Sequence, residues 1–443
     1  MDRDTVRLPE YRSSKGNIMV TYRIAIAGLG VVGAETARHL TARSSFLSDK
    51  VGAHLTLTAV SARSKNKDRG FDMTNIAFEA NPVELASRDD VDIIIELMGG
   101  SDGPALDLTE AALRNGKHVI TANKAMIALH GAHLAKLAED NQVALCFEAA
   151  VAGGIPALKT LREGLAANEI EAVSGILNGT CNYILSEMES TGRAFDDVLK
   201  EAQEKGYAEA DPTFDVEGID AAHKLTILDA LAFGRLPDFD KIKTTGITQI
   251  SDVDITFADE LGYRIRLVGR ATKSGLATVA PVLLPETSQL AKVTGALNAV
   301  HYEAEPVNIV SAIGPGAGAG PTASAVLSDL LDVVLERTSK PFGVGVDKLQ
   351  KHNAMTETRD KTAYYVRLMV FDKPGVLSAV TNVLKELSIS VESLIQKGRA
   401  NDEPVALVMV FHETTDEAVQ KALTLLADEE AVHEVAVALP VLS

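Results

Sequence analysis

From Tyr22 the chain runs YRIAIA, a short apolar stretch of β-formers, breaks at GLGVVG, and continues from Val31 to Leu40 with helical composition. That order predicts a strand, a turn and a helix. His54 to Val60 alternates loosely and predicts a second strand; Val91 to Leu97 is continuously apolar, as in a strand covered on both faces. Between Pro104 and Asn115 the run PALDLTEAALRN starts on proline and is followed by Gly116, the normal asymmetry of helix ends. A strand at His118 to Thr121 comes next. Strands alternating with helices as far as Glu148 predict a doubly wound parallel sheet over residues 21–150, because parallel neighbours need crossovers of about a dozen residues or more.

The pattern changes at Val151. Helices are predicted at Leu158 to Leu165, Tyr183 to Glu189, Phe195 to Lys205 and Ile219 to Phe233, and strands near Tyr263 to Val268 and Thr278 to Leu284, an α+β domain over residues 151–336. The cluster GPGAGAGPTA, Gly314 to Ala323, opens another helix to about Leu335. Residues 337–361 are polar without a sustained period and read as a linker. Beyond them Tyr364 to Phe371, Val376 to Leu387, Ile389 to Gln396, Val405 to Phe411, Asp416 to Ala427 and His433 to Leu439 spell βαββαβ, a ferredoxin-like module over residues 362–443.

Composition narrows the classes of partner. A length of 443 residues suggests two to four domains, and 46% hydrophobic with 23% charged is ordinary for a globular chain. A net charge of −18 with no concentrated basic patch argues against nucleic acid and anionic lipid. Two cysteines, Cys146 and Cys181, allow one bridge at most and make a reducing, cytoplasmic setting the default. Apolar runs fall far short of the roughly 18 residues that span a bilayer. The first 20 residues carry four basic and three acidic side chains and no apolar core, so they read as a tail rather than a signal peptide.

Six strings carry candidate chemistry. GLGVVG places Gly28, Gly30 and Gly33 where a Rossmann-like fold needs a tight turn, close approach to a pyrophosphate, and close packing of helix on strand. The end of the second strand lacks the usual ribose-binding carboxylate and offers Arg63 and Lys65 instead, which favours the 2′-phosphate of NADP. TANK, Thr121 to Lys124, lies at the carboxyl edge of the sheet, and Lys124 is read as a loop lysine near cofactor or substrate. In GIDAAHKLTILDAL the spacing of Asp220, Lys224, Ile227 and Leu231 puts an acid and an amine on one apolar stripe, while His223 lies off it as a structural residue. A surface ion pair is the plain alternative, worth about 0.3 to 0.5 kcal/mol. Against it, EADPTFD adds Glu209, Asp211 and Asp215 just upstream, a carboxylate set able to bind a substrate ammonium beside a lysine able to exchange a proton. FEAAVAGGIP on its own reads as a loop, and Glu148 beside exposed carbonyls makes a hard cation the alternative. NGTCNY places Cys181 with no histidine adjoining it, so a packed thiol is favoured over a nucleophile.

GLGVVG, ELMGG, TANK, EAAVAGGIP, NGTCNYIL, GYAEADPTFDVEGIDAAHK and GPGAGAGPTASAV, in that order from about Tyr22 to Val334, resemble homoserine dehydrogenase. FDKPGVLSAV, Phe371 to Val380, resembles an ACT domain, an amino-acid-binding regulatory module. With no aspartokinase segment ahead of it, the chain is similar to the monofunctional form. The resemblance implies reversible NAD(P)-dependent interconversion of L-aspartate 4-semialdehyde and L-homoserine, on the way to threonine and methionine. It implies Lys224 as proton donor, Glu209, Asp215, Asp220, Lys124 and Thr180 as substrate residues, and a sodium ion held by Glu148 with the backbone of Val151, Gly153 and Ile155. For the cofactor it implies Gly28, Leu29, Gly30, Val31, Val32, Gly33, Arg63, Lys65, Gly99, Thr121 and Lys124, with Gly316, Gly318 and Gly320 on a segment, residues 305–336, that returns to the cofactor domain. Threonine is the implied effector, at Asp372, Gly375, Val376 and Leu377, and removing residues from Lys361 onward is expected to abolish inhibition while leaving catalysis; the equal alternative is a docking module that only builds the oligomer. A homodimer or homotetramer is expected. The competing readings are a non-catalytic amino-acid and nucleotide sensor, and a semialdehyde dehydrogenase that forms a thioester on Cys181.

Overall fold

The structure, a computed structural model, describes residues 10–12, 18–352, 361–397 and 403–442. It divides into two compact units: Met1–Val173, His223–Lys241 and Tyr302–His352 form the first, and Ser174–Ala222, Ile242–His301 and Asn353–Ser443 the second.

The first unit is built on a parallel sheet. From one edge its strands are Ala77–Glu79, His54–Ser61, Ile18–Ala27, Ile93–Glu96, His118–Thr121 and Leu145–Cys146. Every pair along that path is parallel. The order reverses between His54–Ser61 and Ile93–Glu96, so the carboxyl end of Ile18–Ala27 is the switch point at which such sheets bind ligands. Ile24, Ile26, Ile93, Ile95 and Ile120 form a core layer with Val326, Leu330 and Val333, so the helix Ala319–Val334 packs into this unit.

The first strand starts earlier than the apolar pattern implied. Glu10–Arg12 pairs antiparallel with Ile18–Val20, so part of the expected tail forms a short ribbon with the amino end of that strand; the rest of that tail lies outside the described residues. The expected linker also departs from a free tether. Phe342 is fully buried, its ring 5.5 Å from that of Phe147, and the Val346 amide donates to the Glu139 carboxylate. Gln350 adds backbone bonds to Gly234 and Leu236, so the stretch is docked along its length; residues 353–360 lie outside the described set. TANK is not wholly loop either: Asn123 caps the helix Lys124–Asn141 by accepting from the Met126 amide, so Lys124 is its first helical residue. Leu158 to Leu165, expected as one helix, is one α turn followed by a wider π turn at Thr160–Gly164.

In the second unit Tyr263–Thr272 and Ala277–Pro285 pair antiparallel in register, above a cluster of Ile176, Val268, Val282, Leu284 and Leu290. The C-terminal module has four antiparallel strands in the order Val391–Gln396, Pro404–Thr414, Thr362–Phe371, Val432–Pro440, with helices Val376–Glu386 and Asp416–Ala427. This is the ferredoxin-like arrangement the pattern predicted. It is anchored to the rest of the unit by a buried ionic cluster. The Asp254 carboxylate accepts from Arg367 Nε at 2.7 Å and Nη2 at 2.8 Å, and from the Tyr365 hydroxyl at 2.9 Å. Asp254 is fully buried, in the capping box that opens the helix Asp252–Glu260.

Candidate active site

The glycine turn is shaped by backbone against backbone. Gly28 has φ +91°, and a Cβ there would lie 2.5 Å from the Leu97 carbonyl oxygen; one on Gly33 would lie 1.8 Å from that of Gly28. Neither position admits a side chain. Gly30 meets nothing within 4 Å and opens the helix Val31–Ala42, whose first turn has no capping side chain. An open glycine at an uncapped helix start leaves amide groups facing outward, which is the cradle a pyrophosphate needs.

Beside it lies a cleft of about 210 Å³, lined by Val32, Leu97, Met98, Ala122, Lys124, Ala149, Ala150, Gly153, Lys224 and Thr322. Two lysines that the sequence singled out therefore share one cavity. Lys224 is buried, 7% exposed, and Asp220, also buried, precedes it by one turn on the helix Ile219–Phe233. His223 is stacked on Phe239 at 4.4 Å, in keeping with the packing role its position off the stripe implied.

The carboxylates divide. Asp215 and Asp220 converge on one amide, Asn178 Nδ2 donating to them at 2.7 and 2.9 Å, while Asn178 Oδ1 caps the helix Gly179–Thr191 by accepting from the Cys181 amide. Asn178 was quoted within NGTCNY but not singled out; its place at a helix cap ahead of two acids was the available signal. Glu209 is exposed, and its backbone carbonyl accepts from Gln203. The Thr180 hydroxyl donates to the Tyr207 carbonyl at 2.8 Å, tying the helix start to the loop that carries Glu209. Cys181 is fully buried, and its thiol donates to the Asp215 carbonyl, a packed thiol rather than an accessible nucleophile.

Arg63 and Lys65 are exposed on the loop after His54–Ser61, with Lys65 5.8 Å from the Phe78 ring. A third cation there escaped the sequence reading. Arg69 donates to the Leu29 carbonyl at 3.3 Å and to Lys67 and Ser64, fastening this loop to the glycine turn. Gly99 is exposed at the end of ELMGG, and Thr121 is buried with its hydroxyl on Glu96. Gly316 packs against Gly153, where a Cβ would lie 2.4 Å from the Gly316 oxygen. Gly318, φ +109°, caps the helix Ala319–Val334; Gly320 lines a separate hollow with His39, Arg43 and Lys50.

Glu148 is buried, its two oxygens accepting from the Leu158 and Lys159 amides, both at 2.9 Å, and its own amide donating to Asp329. Burial, with the nearby Asp329 charge, pushes its carboxyl up to about 8. Ala152 and Gly153, φ +56° and +48°, turn the chain sharply between Val151 and Ile155. In the C-terminal module Asp372 is exposed and accepts from Gln396, Gly375 has φ +99° at the helix start, Val376 is buried in the core, and Leu377 is exposed.

Comparison with known proteins agrees along the chain. The profile of the homoserine dehydrogenase NAD-binding domain matches residues 28–148, that of homoserine dehydrogenase residues 156–331, and that of the ACT domain residues 364–431. The homoserine dehydrogenase of Pseudomonas aeruginosa is 42% identical over 94% of this chain and 97% of its own length; that of Bacillus subtilis is 38% identical over 94% and 97%. Among solved structures, a homoserine dehydrogenase from Thiobacillus denitrificans superposes with TM-score 0.89 at 41% identity, covering 96% of this chain and 99% of that one. A hyperthermophilic archaeal homoserine dehydrogenase in complex with NADPH superposes with TM-score 0.63 at 27% identity, covering 72% and 98%. The helices of the described residues include none long and apolar enough to cross a membrane. With its nucleotide fold, its lysine-lined cleft and relatives of this identity over nearly the whole chain, the protein belongs to the homoserine dehydrogenase family of oxidoreductases.

Proposed function

We propose that the protein reduces L-aspartate 4-semialdehyde to L-homoserine reversibly, with NADP as its preferred nicotinamide and Lys224 as proton donor. The observation that carries this is the burial of Lys224 in a cleft walled by Val32 of the glycine turn and by Lys124. When bound, the nicotinamide supplies or takes up the hydride. Lys224 Nζ gives its proton to the aldehyde oxygen in reduction and recovers it from the alcohol in oxidation, general acid–base work worth about 10²- to 10⁴-fold in rate. Asp215 and Asp220, held together by Asn178, and Glu209 on its loop fit the substrate ammonium, with Thr180 fixing that loop. Lys124 fits the substrate carboxylate or the cofactor. The strand end Ser61 to Lys65 carries Arg63 and Lys65 where a ribose-binding acid would stand, and this supports a 2′-phosphate.

Glu148, with the backbone of Val151, Gly153 and Ile155, makes a hard, all-oxygen donor set that fits sodium. A cation there would offset the burial and the Asp329 charge that raise Glu148, beyond what the Lys159 ammonium 3.2 Å from Asp329 already supplies. The Asp372–Leu377 turn, with a glycine at an uncapped helix start, fits the carboxylate of an amino-acid effector, and threonine is the one proposed. The test is a spectrophotometric assay with L-homoserine, comparing NADP and NAD side by side with and without threonine. Turnover with NADP, slowed by threonine, is expected; dinucleotide binding without turnover would favour the sensor reading instead.

A further inference from the structure

Glu96 ends the strand Ile93–Glu96 at the carboxyl edge of the parallel sheet and is fully buried. Its Oε1 accepts from the Met98 amide at 2.6 Å and its Oε2 from the Thr121 hydroxyl at 2.5 Å, with the Asn123 side chain as a further donor. Thr121 Oγ1 accepts in turn from the Asn123 amide at 2.9 Å, and Asn123 Nδ2 donates to the Gly100 carbonyl at 2.7 Å. One carboxylate thus ties the ELMGG turn to the TANK turn. Both turns line the cleft, through Leu97 and Met98 on one and Ala122 and Lys124 on the other. The Leu97 amide also donates to the Ala27 carbonyl, and its own carbonyl fills the space a Cβ on Gly28 would need. The tie therefore reaches the glycine turn through backbone alone.

We propose that ionised Glu96 is a positioning residue that sets the floor of the dinucleotide cleft, and that its protonation loosens the three turns and weakens dinucleotide binding as pH falls. The inference rests on the dinucleotide reading of this cleft. Its groups are donors aimed at a carboxylate: a backbone N–H cannot reverse, and the Thr121 hydroxyl is oriented by the amide it accepts. A proton on the acid sets donor against donor. Burial, with no ion-paired partner among the described residues, pushes the acid up to about 7, which brings that change into the working range. Around it, Lys124 and Lys224 line the cleft, Asp102 and His130 pair at 3.0 Å beyond Gly100, Arg69 reaches the glycine turn, and Glu148 bonds Asp329 near the next strand. Several of these titrate, so the test isolates Glu96 by substitution.

NADPH binding to the full-length protein, followed by nucleotide fluorescence from pH 5.5 to 8.5, compares wild type, Glu96→Gln and Thr121→Val. For wild type, Kd is expected to rise by up to about tenfold per pH unit below an inflection near neutrality. In Glu96→Gln that inflection disappears, while the titrations of the cofactor's own 2′-phosphate and of the other groups around the cleft stay common to both proteins. In Thr121→Val it moves to higher pH, because a donor to the charged form is lost. The same pH dependence in wild type and Glu96→Gln would overturn the inference, as would an inflection unmoved in Thr121→Val should Glu96→Gln not fold. Failure of wild type to bind NADPH at any pH would overturn the dinucleotide reading itself.

Discussion

Two strand–glycine–helix turns in this chain look alike on paper and differ in how they are held. In the first, Gly28 and Gly33 are locked by backbone contacts, and Gly30 alone is open. In the second, Gly375 has φ +99° and nothing within 4 Å of its missing Cβ, and the turn stands in solvent at the end of an antiparallel strand. The first turn is therefore determined by packing across three strand ends, the second by local backbone conformation. A site made by the sheet is expected to fail all at once when one atom is added; a site made by one turn is expected to degrade gently.

Gly33→Ala tests this most harshly. A methyl 1.8 Å from a backbone carbonyl cannot be absorbed by a side-chain rotation, so a loss above about 4 kcal/mol and no measurable NADPH binding are expected by denaturant titration and fluorescence. Next comes Arg367→Met, which probes what holds the second turn's module. It leaves the Asp254 carboxylate buried without its guanidinium, and about 3 to 5 kcal/mol should be lost in thermal or denaturant unfolding. The same contact makes deletion from Lys361 onward a poor probe of regulation, since it would strip Asp254 of Arg367 and Tyr365 and bare the strands beneath.

Third, the first turn sits on a titrating acid. The folded protein holds the Glu96 carboxyl near 7 against an ordinary value near 4.5, so the folded state binds the proton more tightly. That stabilisation is complete below about 4.5 and is lost as pH rises through 7, to a total of about 3 kcal/mol. Chemical denaturation at pH 5 and pH 8 should show Glu96→Gln free of this part of the wild-type slope. The state that binds cofactor is then the less stable one, a common cost at functional sites. The mildest change is Gly375→Ala, expected to cost about 1 to 2 kcal/mol for the positive φ while leaving turnover intact and weakening the proposed inhibition by threonine.

Four strands of the parallel sheet were legible because their apolar runs are bounded by glycine, and the strand His118–Thr121 and the helix Ile219–Phe233 lie where the pattern put them; Ala77–Glu79 and Leu145–Cys146 are too short to leave a pattern. Strands Glu169–Ile176, Leu297–Glu305 and Asn308–Pro315 went unread, because polar and charged residues interrupt their alternation and their partners are distant in sequence. At the site, the spacing of Asp220 and Lys224 signalled a shared stripe, and Lys224 does line a cavity. Asn178, Arg69 and Glu96 were not singled out. Each acts through a partner on another element, Asp220, Leu29 and Thr121, and no local period records such pairs.

The proposed chemistry depends on the Lys224 side chain, and Lys224→Met measures its part directly. Stopped-flow and steady-state assays with L-homoserine and NADP, beside NADPH binding, should show Kd within about twofold of wild type and kcat down by at least about 100-fold. A variant that keeps its kcat within a few-fold of wild type would contradict the assignment of the proton to this lysine.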